Sequence, residues 1–273
     1  MTDHIAETSW GILKAGDWVN YVPCARPSYS ELAEIEKVIL KIDVHGRPLR
    51  VAILGSTVEF RNLCHKYGCD VTVIEFSKEH YDLLSKQDMH YKGAETLRLE
   101  DWREMKTDER YDLIMGDNVM NMLNNQERRA VLERISAMLV PHGTFITRSY
   151  IRPAKLHASL EDVLRFRNEK WPRVQIYTSA ALYFLPIYTD EKTEFINVEK
   201  LLEDLKTAKE RKLLREDEYE WLKARFEKDK KVVAIPTLES LEMQMSEHFR
   251  IWKTTGNEIY SDLQPIHVLE KPE

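Results

Sequence analysis

Cysteine is scarce in this chain of 273 residues, and what there is does not form a pattern. Cys24, Cys64 and Cys69 make neither an even set nor a C-x-x-C pair. This argues against a disulfide framework and against a cysteine-bound metal. We therefore expect reduced, structural thiols and no metal site, as in a cytoplasmic protein.

Long apolar runs and an excess of positive charge are also lacking. No apolar run approaches the length of a membrane span, and residues 1–10 are acidic and polar, without an apolar signal core. The net charge is −6, whereas nucleic-acid binders usually carry a basic field. We expect a cytoplasmic protein with a small-molecule partner and with no nucleic-acid or membrane partner. A homodimer is one oligomeric state open to it.

From residue 49 onward, short apolar segments alternate with helical ones. Val51 to Leu54 form an unbroken apolar row that suits a strand buried on both faces, and the helical stretch 125–139 is terminated by Pro141 and Gly143. The alternation predicts right-handed crossovers and a parallel sheet with helices on both faces. The predicted strands are LRVAIL (49–54), DVTVIE (70–75), ETLRL (95–99), YDLIMG (111–116) and GTFITRS (143–149).

The segments that flank this core have other patterns. Ser28 and Glu31 have capping-box spacing, which predicts a helix that starts at Ser28. Residues 155–170 read as a helix, and 197–231 as a charged helix pair or one long helix with a solvated face. The predicted organisation is an N-terminal helical cap (1–45), a ligand-binding core (46–150), a helical and aromatic lid or substrate insertion (151–235), and a final helix with an antiparallel strand pair that completes the sheet (236–273).

Polar or small residues follow all five predicted strands. Ligands bind beyond the carboxyl ends of such strands, where the strand order reverses. Glu75 can accept both hydroxyl hydrogens of a ribose, Asp101 can accept from an adenine amino group, and Trp102 offers its ring an aromatic face. These features together predict an adenosine ligand. The strand-end residues are Gly55-Ser56-Thr57, Glu75, Asp101-Trp102, Asp117-Asn118 and Arg148-Ser149-Tyr150.

The order of these motifs resembles that of the class I S-adenosylmethionine-dependent methyltransferases, over about residues 49 to 150. The matching segments are VAILGSTVEF for the glycine loop, VTVIEFS for the ribose acid, LEDW for the adenine motif, YDLIMGDNVMNML for the fourth motif and LVPHGTFITRSY for the fifth strand. The final strand pair favours this family over the nicotinamide dehydrogenases. The resemblance implies an α/β, Rossmann-like class I methyltransferase fold with a mostly parallel seven-stranded sheet, and S-adenosylmethionine as cofactor.

Glycine is sparse in the turn after the first strand, where Gly55 stands alone and dinucleotide-binding turns carry two or three. S-adenosylmethionine has no phosphate and presents a zwitterionic tail, so the steric demand on the turn is lower. The Ser56-Thr57 pair could donate hydrogen bonds to that tail. The acid that often precedes the first glycine by two residues is Ile53 here, so Glu59 or Asp117 is expected to meet the ammonium group.

The resemblance also directs attention to catalysis. Displacement at a sulfonium needs mainly alignment and desolvation, so no universal base is expected. Aromatic faces stabilise such cations by roughly 0.5 to 2 kcal/mol each, and Arg26 could hold a carboxylate bidentately. The candidate catalytic residues are Tyr21, Tyr177 and Asn118, and the further pocket candidates are Trp18, Tyr183 and Tyr188.

Three functions remain open at this point. The first is methyl transfer to a small acceptor. The second follows from the segments W…P-x-A-R-P-S, LGST-x-E and GDNVMNML…FITR, which are similar to a branch that includes the azetidine-2-carboxylate synthases. Those enzymes use the cofactor as sole substrate, because its own amine attacks the methionyl Cγ, the carbon bonded to sulfur, and releases methylthioadenosine. The third is cofactor binding without chemistry, as in a sensor or an inert partner subunit.

Overall fold

The computed structural model describes residue 18 and residues 24–87, 90–155, 158–170, 181–229, 233–258 and 260–273. Seven strands in these ranges form one sheet in the order β3-β2-β1-β4-β5-β7-β6. Strands β1 to β5 are mutually parallel, whereas β7 runs antiparallel to β5 and β6. The predicted sheet with its final antiparallel pair is confirmed. The strands are β1 (Arg50–Leu54), β2 (Asp70–Glu75), β3 (Glu95–Leu99), β4 (Tyr111–Asp117), β5 (Leu139–Arg148), β6 (Arg250–Thr254) and β7 (Ile266–Glu270).

Helices cover both faces of this sheet. Successive side chains of a strand point to opposite faces of the sheet. In β1 the side chains from Val51 to Leu54 are buried because helices pack against both faces. Ala52 and Leu54 pack with α4 and α9, while Val51 and Ile53 pack with α1 and α2. The helices next to the sheet in sequence are α1 (Tyr29–Ile39), α2 (Val58–Lys66), α3 (Lys78–Ser85), α4 (Asn125–Met138) and, near the end of the chain, α9 (Leu238–Ser246).

Helix α1 begins as its capping box predicts. The Ser28 hydroxyl accepts a hydrogen bond from the backbone N–H of Glu31 at 3.2 Å, and the Ser28 N–H donates to the Glu31 carboxylate at 2.7 Å. Two backbone donors that the first helical turn leaves without partners are thereby satisfied. Ile35 and Ile39 are buried on the face that packs against the sheet.

Strand β5 begins earlier than its sequence suggests. The prediction began the strand at Gly143 and used Pro141 and Gly143 as the signals that end the preceding helix, but β5 already starts at Leu139, directly after α4. Leu139 pairs with Tyr111, and the regular register then resumes at Leu113 and Thr144. The extra residues on β5 are absorbed as a bulge, so the turn signals fall inside the strand.

Residues 160–170 and 181–229 are largely helical and pack in a second hydrophobic core, to which Tyr150, Ile235 and Tyr260 also contribute. The charge run is two helices, and the leucines at 201, 205 and 222 are buried between them and their neighbours. Helix α5 starts later than predicted, because the Ser159 hydroxyl accepts from the Asp162 N–H at 3.1 Å and caps it there. In the described ranges, no helix is long and apolar enough to cross a membrane. These helices are α5 (Leu160–Lys170), α6 (Ala181–Phe184), α7 (Val198–Glu210) and α8 (Glu216–Asp229).

Asn121 joins this helical part to the sheet. Its side-chain nitrogen donates to the carbonyls of Tyr150 at 2.6 Å and Ala234 at 2.8 Å, and its side-chain oxygen accepts from the Tyr150 N–H at 2.8 Å. The side chain is buried, so water cannot replace these partners.

We expect Asn121→Ala to lower the free energy of unfolding by roughly 2 to 4 kcal/mol, because it leaves three buried backbone groups without these partners. Denaturant unfolding measures the loss. Exposed Asn257 provides the control, since Asn257→Ala removes the same amide from the surface. Equal stability of the two variants would show that the Asn121 hydrogen bonds contribute little.

Candidate functional site

The strand order reverses between β1 and β4. The chain runs from β1 outward through β2 to β3, then returns to β4 on the other side of β1. The carboxyl ends of strands leave a ligand crevice at such a point, and a cavity lies here. Six of the predicted cofactor-binding residues line it: Gly55, Ser56, Thr57, Glu75, Trp102 and Asp117.

The lone glycine of the turn has a backbone conformation that favours glycine. Gly55 has a φ of +87°, which L-residues rarely adopt, and its N–H donates to the carbonyl of Ile74 at 2.9 Å. A Cβ built on Gly55 would lie 3.5 Å from the ring of Trp102, whose indole N–H donates to the same carbonyl at 2.9 Å. The turn and the Trp102 ring are thus held together on the β2 backbone.

We expect Gly55→Ala to weaken binding of the adenosine ligand as well as to cost about 1 to 2 kcal/mol of stability through backbone strain. Gly68→Ala is the matched control, because Gly68 also has a positive φ (+63°) but has open space around it. Thermal unfolding and ligand titration separate the two effects. Similar losses of affinity in both variants would contradict a local role for Gly55.

Glu75 is the most completely satisfied carboxylate of the cavity. One oxygen accepts from the backbone N–H groups of Phe76 (2.9 Å) and Ser77 (3.2 Å). The other lies 3.0 Å from the Ser56 hydroxyl, which donates to it, and 3.1 Å from Nδ1 of His80. Ribose hydroxyls that donate to Glu75 would therefore share or replace the contacts with Ser56 and His80. Ser56, predicted to donate to the ligand tail, donates to Glu75 in this structure.

The two predicted adenine residues differ in their surroundings. Trp102 lines the cavity. The Asp101 carboxylate is bound by the guanidinium of Arg103, with Arg103 Nε 2.9 Å from one oxygen and 3.1 Å from the other, and Arg103 also contacts Glu127 at 3.1 Å. An adenine amino group would have to share Asp101 with this local ion pair.

Glu59 stands in the first turn of α2, beside residues of the N-terminal segment. One carboxylate oxygen accepts from the indole N–H of Trp18 at 3.2 Å and lies 3.4 Å from the Arg26 guanidinium. Burial raises the pKa of Glu59 above its ordinary value, although its own backbone N–H and Arg26 act in the opposite direction. Arg26, predicted to bind a ligand carboxylate, instead contacts this protein carboxylate.

Asp117 ends β4 within a buried network of charges. The Arg148 guanidinium donates to its two oxygens at 2.8 and 3.1 Å, and to the Glu31 carboxylate at 2.9 Å. Arg148 has no exposed side-chain surface. Burial raises the pKa of Asp117, while Arg148 opposes the shift. Arg148 was noted in the sequence only as a strand-end residue, and its role as the partner of Asp117 was missed.

The predicted catalytic residues are only partly described. Tyr21 and Tyr177 lie outside the described residues. Asn118 has a left-handed backbone (φ +54°), accepts from the Gln264 side chain at 2.9 Å and donates to Asp117 at 3.3 Å. Asn118 is therefore not a lining residue, but it contacts Asp117, which lines the cavity.

Two of the further aromatic candidates belong to the helical core rather than to this cavity. Tyr188 is buried and its hydroxyl donates to Asp204 at 2.8 Å. Tyr183 packs with its ring centroid 6.4 Å from that of Phe166. Trp18, in contrast, lines the cavity together with residues that the sequence analysis missed, namely Ala25, Leu54, Phe76, His80 and Leu84. The signal for His80 was its place three residues after the helix cap Ser77.

Comparison with known proteins places the fold. No family model and no curated protein matches the sequence. A structure described as a putative zinc-dependent alcohol dehydrogenase from Rhodobacter sphaeroides matches with a TM-score of 0.60 and 15% identity, covering 100% of both chains. The PH0226 protein from Pyrococcus horikoshii OT3 matches with a TM-score of 0.53 and 14% identity, covering 93% of this chain and 98% of that one.

A magnesium protoporphyrin IX methyltransferase from Synechocystis PCC 6803, crystallised with S-adenosylhomocysteine, has a TM-score of 0.49 and 9% identity, covering 88% of this chain and 81% of that one. The chain has an α/β, Rossmann-like fold with the mostly parallel seven-stranded sheet described above. At these identities the likeness is one of fold.

Within the described part of the chain, no group of three or more histidine, cysteine or acidic side chains could hold a metal ion.

Proposed function

We propose that the protein binds S-adenosylmethionine at the reversal point between β1 and β4 and transfers its methyl group to a small-molecule acceptor. The observation that carries the proposal is the convergence of six separately predicted residues on one cavity, in a sheet that ends in an antiparallel pair. A dinucleotide-binding sheet of the ordinary order lacks that pair. The small-molecule class of the acceptor and the cytoplasmic location of the protein are both inferred from the amino-acid sequence.

The lining residues divide the ligand between them. Glu75 receives the ribose hydroxyls, Trp102 lies against the adenine, and the turn at 55–57 holds the amino-acid tail. Thr57 makes no side-chain capping bond at the start of α2, so its hydroxyl is available for that task. When bound, the cofactor supplies an activated methyl group, and the chain's contribution is alignment and exclusion of water.

A second reaction is favoured by the acidic side chains near the tail. In cyclisation the cofactor's amine forms a bond to the methionyl Cγ, which is the carbon bonded to sulfur, the Cγ–sulfur bond breaks, and methylthioadenosine leaves. The amine must lose a proton first. Glu59 and Asp117 are carboxylates whose pKa values burial raises, which makes them better proton acceptors than exposed acids. Binding without chemistry is the third alternative.

One experiment distinguishes these functions. The purified protein is incubated with S-adenosylmethionine alone and with a small-molecule extract, and the products are identified by mass spectrometry. S-adenosylhomocysteine formed only with the extract supports methyl transfer. Methylthioadenosine and a cyclic amino acid from the cofactor alone would support cyclisation instead. Cofactor that stays intact for hours in both incubations would indicate that the protein binds the cofactor without catalysing a reaction.

A further inference from the structure

We infer that Glu59, rather than Asp117, receives the ammonium group of the cofactor's amino-acid tail. The inference rests on the proposed function and decides between the two acids that the sequence left open. It assigns to the first turn of α2 the task that an acid two residues before the first glycine often performs, a position occupied here by Ile53.

Asp117 has little capacity left for another cation. Both of its oxygens accept from Arg148, and one also accepts from Asn118 at 3.3 Å. Since Arg148 is buried and always charged, it compensates part of the Asp117 charge and occupies both carboxylate oxygens. Arg148 is shared with Glu31, which in turn accepts from the Ser28 N–H. An ammonium group placed at Asp117 would lie beside this guanidinium and be repelled by it.

Glu59 has the opposite character. Its Oε2 is buried and has no hydrogen-bond partner among the described residues. Its Oε1 holds Trp18 and Arg26 only at the long distances of 3.2 and 3.4 Å. A buried carboxylate oxygen without a donor is costly, and an ammonium group would satisfy it.

Glu59 does not itself line the cavity, but its carboxylate contacts Trp18, which does. Side chains in a first turn lean toward the helix N-terminus, and Glu59 interacts with its own backbone N–H. The residues that precede it, the turn at 55–57, line the cavity, as does Trp18, which donates to Glu59. Asp117 is close enough to Glu59 for its negative charge to raise the pKa of Glu59 further. The charged groups around Glu59 are thus Arg26 from the N-terminal segment and Asp117, with Arg148 behind it.

The test compares two ligands that share an adenosine and differ in the tail. S-adenosylhomocysteine carries the ammonium group, whereas methylthioadenosine does not. We expect Glu59→Gln to weaken S-adenosylhomocysteine binding about tenfold or more and to leave methylthioadenosine binding unchanged, as measured by calorimetry. Glu79→Gln is the matched control, because Glu79 occupies the same second position in α3 and is exposed.

Proton release gives an independent readout. An arriving ammonium group favours the ionised form of Glu59, whose pKa burial raises, so binding at mildly acidic pH should release more protons than binding at alkaline pH. Calorimetry in buffers of different ionisation enthalpy should detect this release with S-adenosylhomocysteine in the parent, and it should be reduced in Glu59→Gln.

The outcomes are separable. Selective loss of S-adenosylhomocysteine binding in Asp117→Asn but not in Glu59→Gln would overturn the inference in favour of Asp117. Equal losses for both ligands in Glu59→Gln would overturn it too, because the effect would not concern the tail. If the parent binds neither ligand, the proposed function itself fails, and this result is distinct from the other two.

Discussion

Glu75→Gln is expected to weaken binding of S-adenosylhomocysteine by about ten- to a hundredfold while the protein stays folded, since hydrogen bonds to a charged acceptor contribute roughly 1.5 to 3 kcal/mol. Glutamine keeps the size and one acceptor oxygen but replaces the other oxygen with a donor. It can no longer accept from both ribose hydroxyls.

The structure dictates glutamine rather than alanine at this position. Alanine would leave the N–H groups of Phe76 and Ser77, the Ser56 hydroxyl and His80 without their shared acceptor. A loss of affinity in Glu75→Ala could then reflect a disturbed loop. The free energy of unfolding of Glu75→Gln should stay within about 1 to 2 kcal/mol of that of the parent.

The same pair of ligands tests the assignment of Glu75 to the ribose. Because S-adenosylhomocysteine and methylthioadenosine share that ribose, Glu75→Gln should weaken both by similar factors, in contrast to Glu59→Gln. Unchanged affinity in a folded Glu75→Gln protein would remove Glu75 from the binding site.

Arg148→Met should produce the largest loss of stability, about 3 to 5 kcal/mol in denaturant unfolding. Methionine fills a similar apolar volume but leaves the carboxylates of Asp117 and Glu31 buried without their cation. It also removes the donor to the carbonyl of Cys24, which Arg148 holds at 3.1 Å. Arg129→Met is the control, because Arg129 forms its ion pair with Glu247 on an exposed surface.

The pH dependence of this loss identifies its cause. The pKa of Asp117 is already raised by burial, and removal of Arg148 raises it further. An acid with a raised pKa in the folded state destabilises the fold above its unfolded pKa of about 3.9, and this cost shrinks as the pH falls through the raised value. The stability gap between parent and Arg148→Met should therefore be smaller at about pH 5 than at about pH 8. A gap that is constant with pH would indicate lost packing instead of uncompensated charge.

Four of the five strands predicted in the core could be located from sequence because local composition determines them. Strands such as β1 and β2 are buried on both faces and therefore read as continuous apolar runs. The start of β5 could not be located in this way. Pro141 and Gly143 are turn signals, but pairing of Leu139 with Tyr111 across the sheet carries the strand past them. This pairing depends on tertiary contacts that a local pattern does not contain.

The candidate site shows a similar division. Glu75 and Asp117 could be assigned to one cavity from sequence, because both follow the carboxyl ends of parallel strands and the sheet topology places these ends together. The cation of Asp117 could not be predicted, since Arg148 lies 31 positions from Asp117 in sequence and 117 positions from Glu31, with which it is shared. The ion pair of Asp101 with Arg103 could have been predicted, because the two residues are two positions apart in sequence and have opposite charges.

Titration of the purified protein with S-adenosylhomocysteine and, in parallel, with NAD+ tests the central claim most directly. Both ligands carry an adenosine, and both suit a Rossmann-like sheet, but only the dinucleotide brings a pyrophosphate to the turn at Gly55. We predict saturable binding of S-adenosylhomocysteine at one site per chain, weakened about ten- to a hundredfold in Glu75→Gln, and no binding of NAD+. Binding of NAD+ in preference to S-adenosylhomocysteine, or binding of neither, would contradict the account.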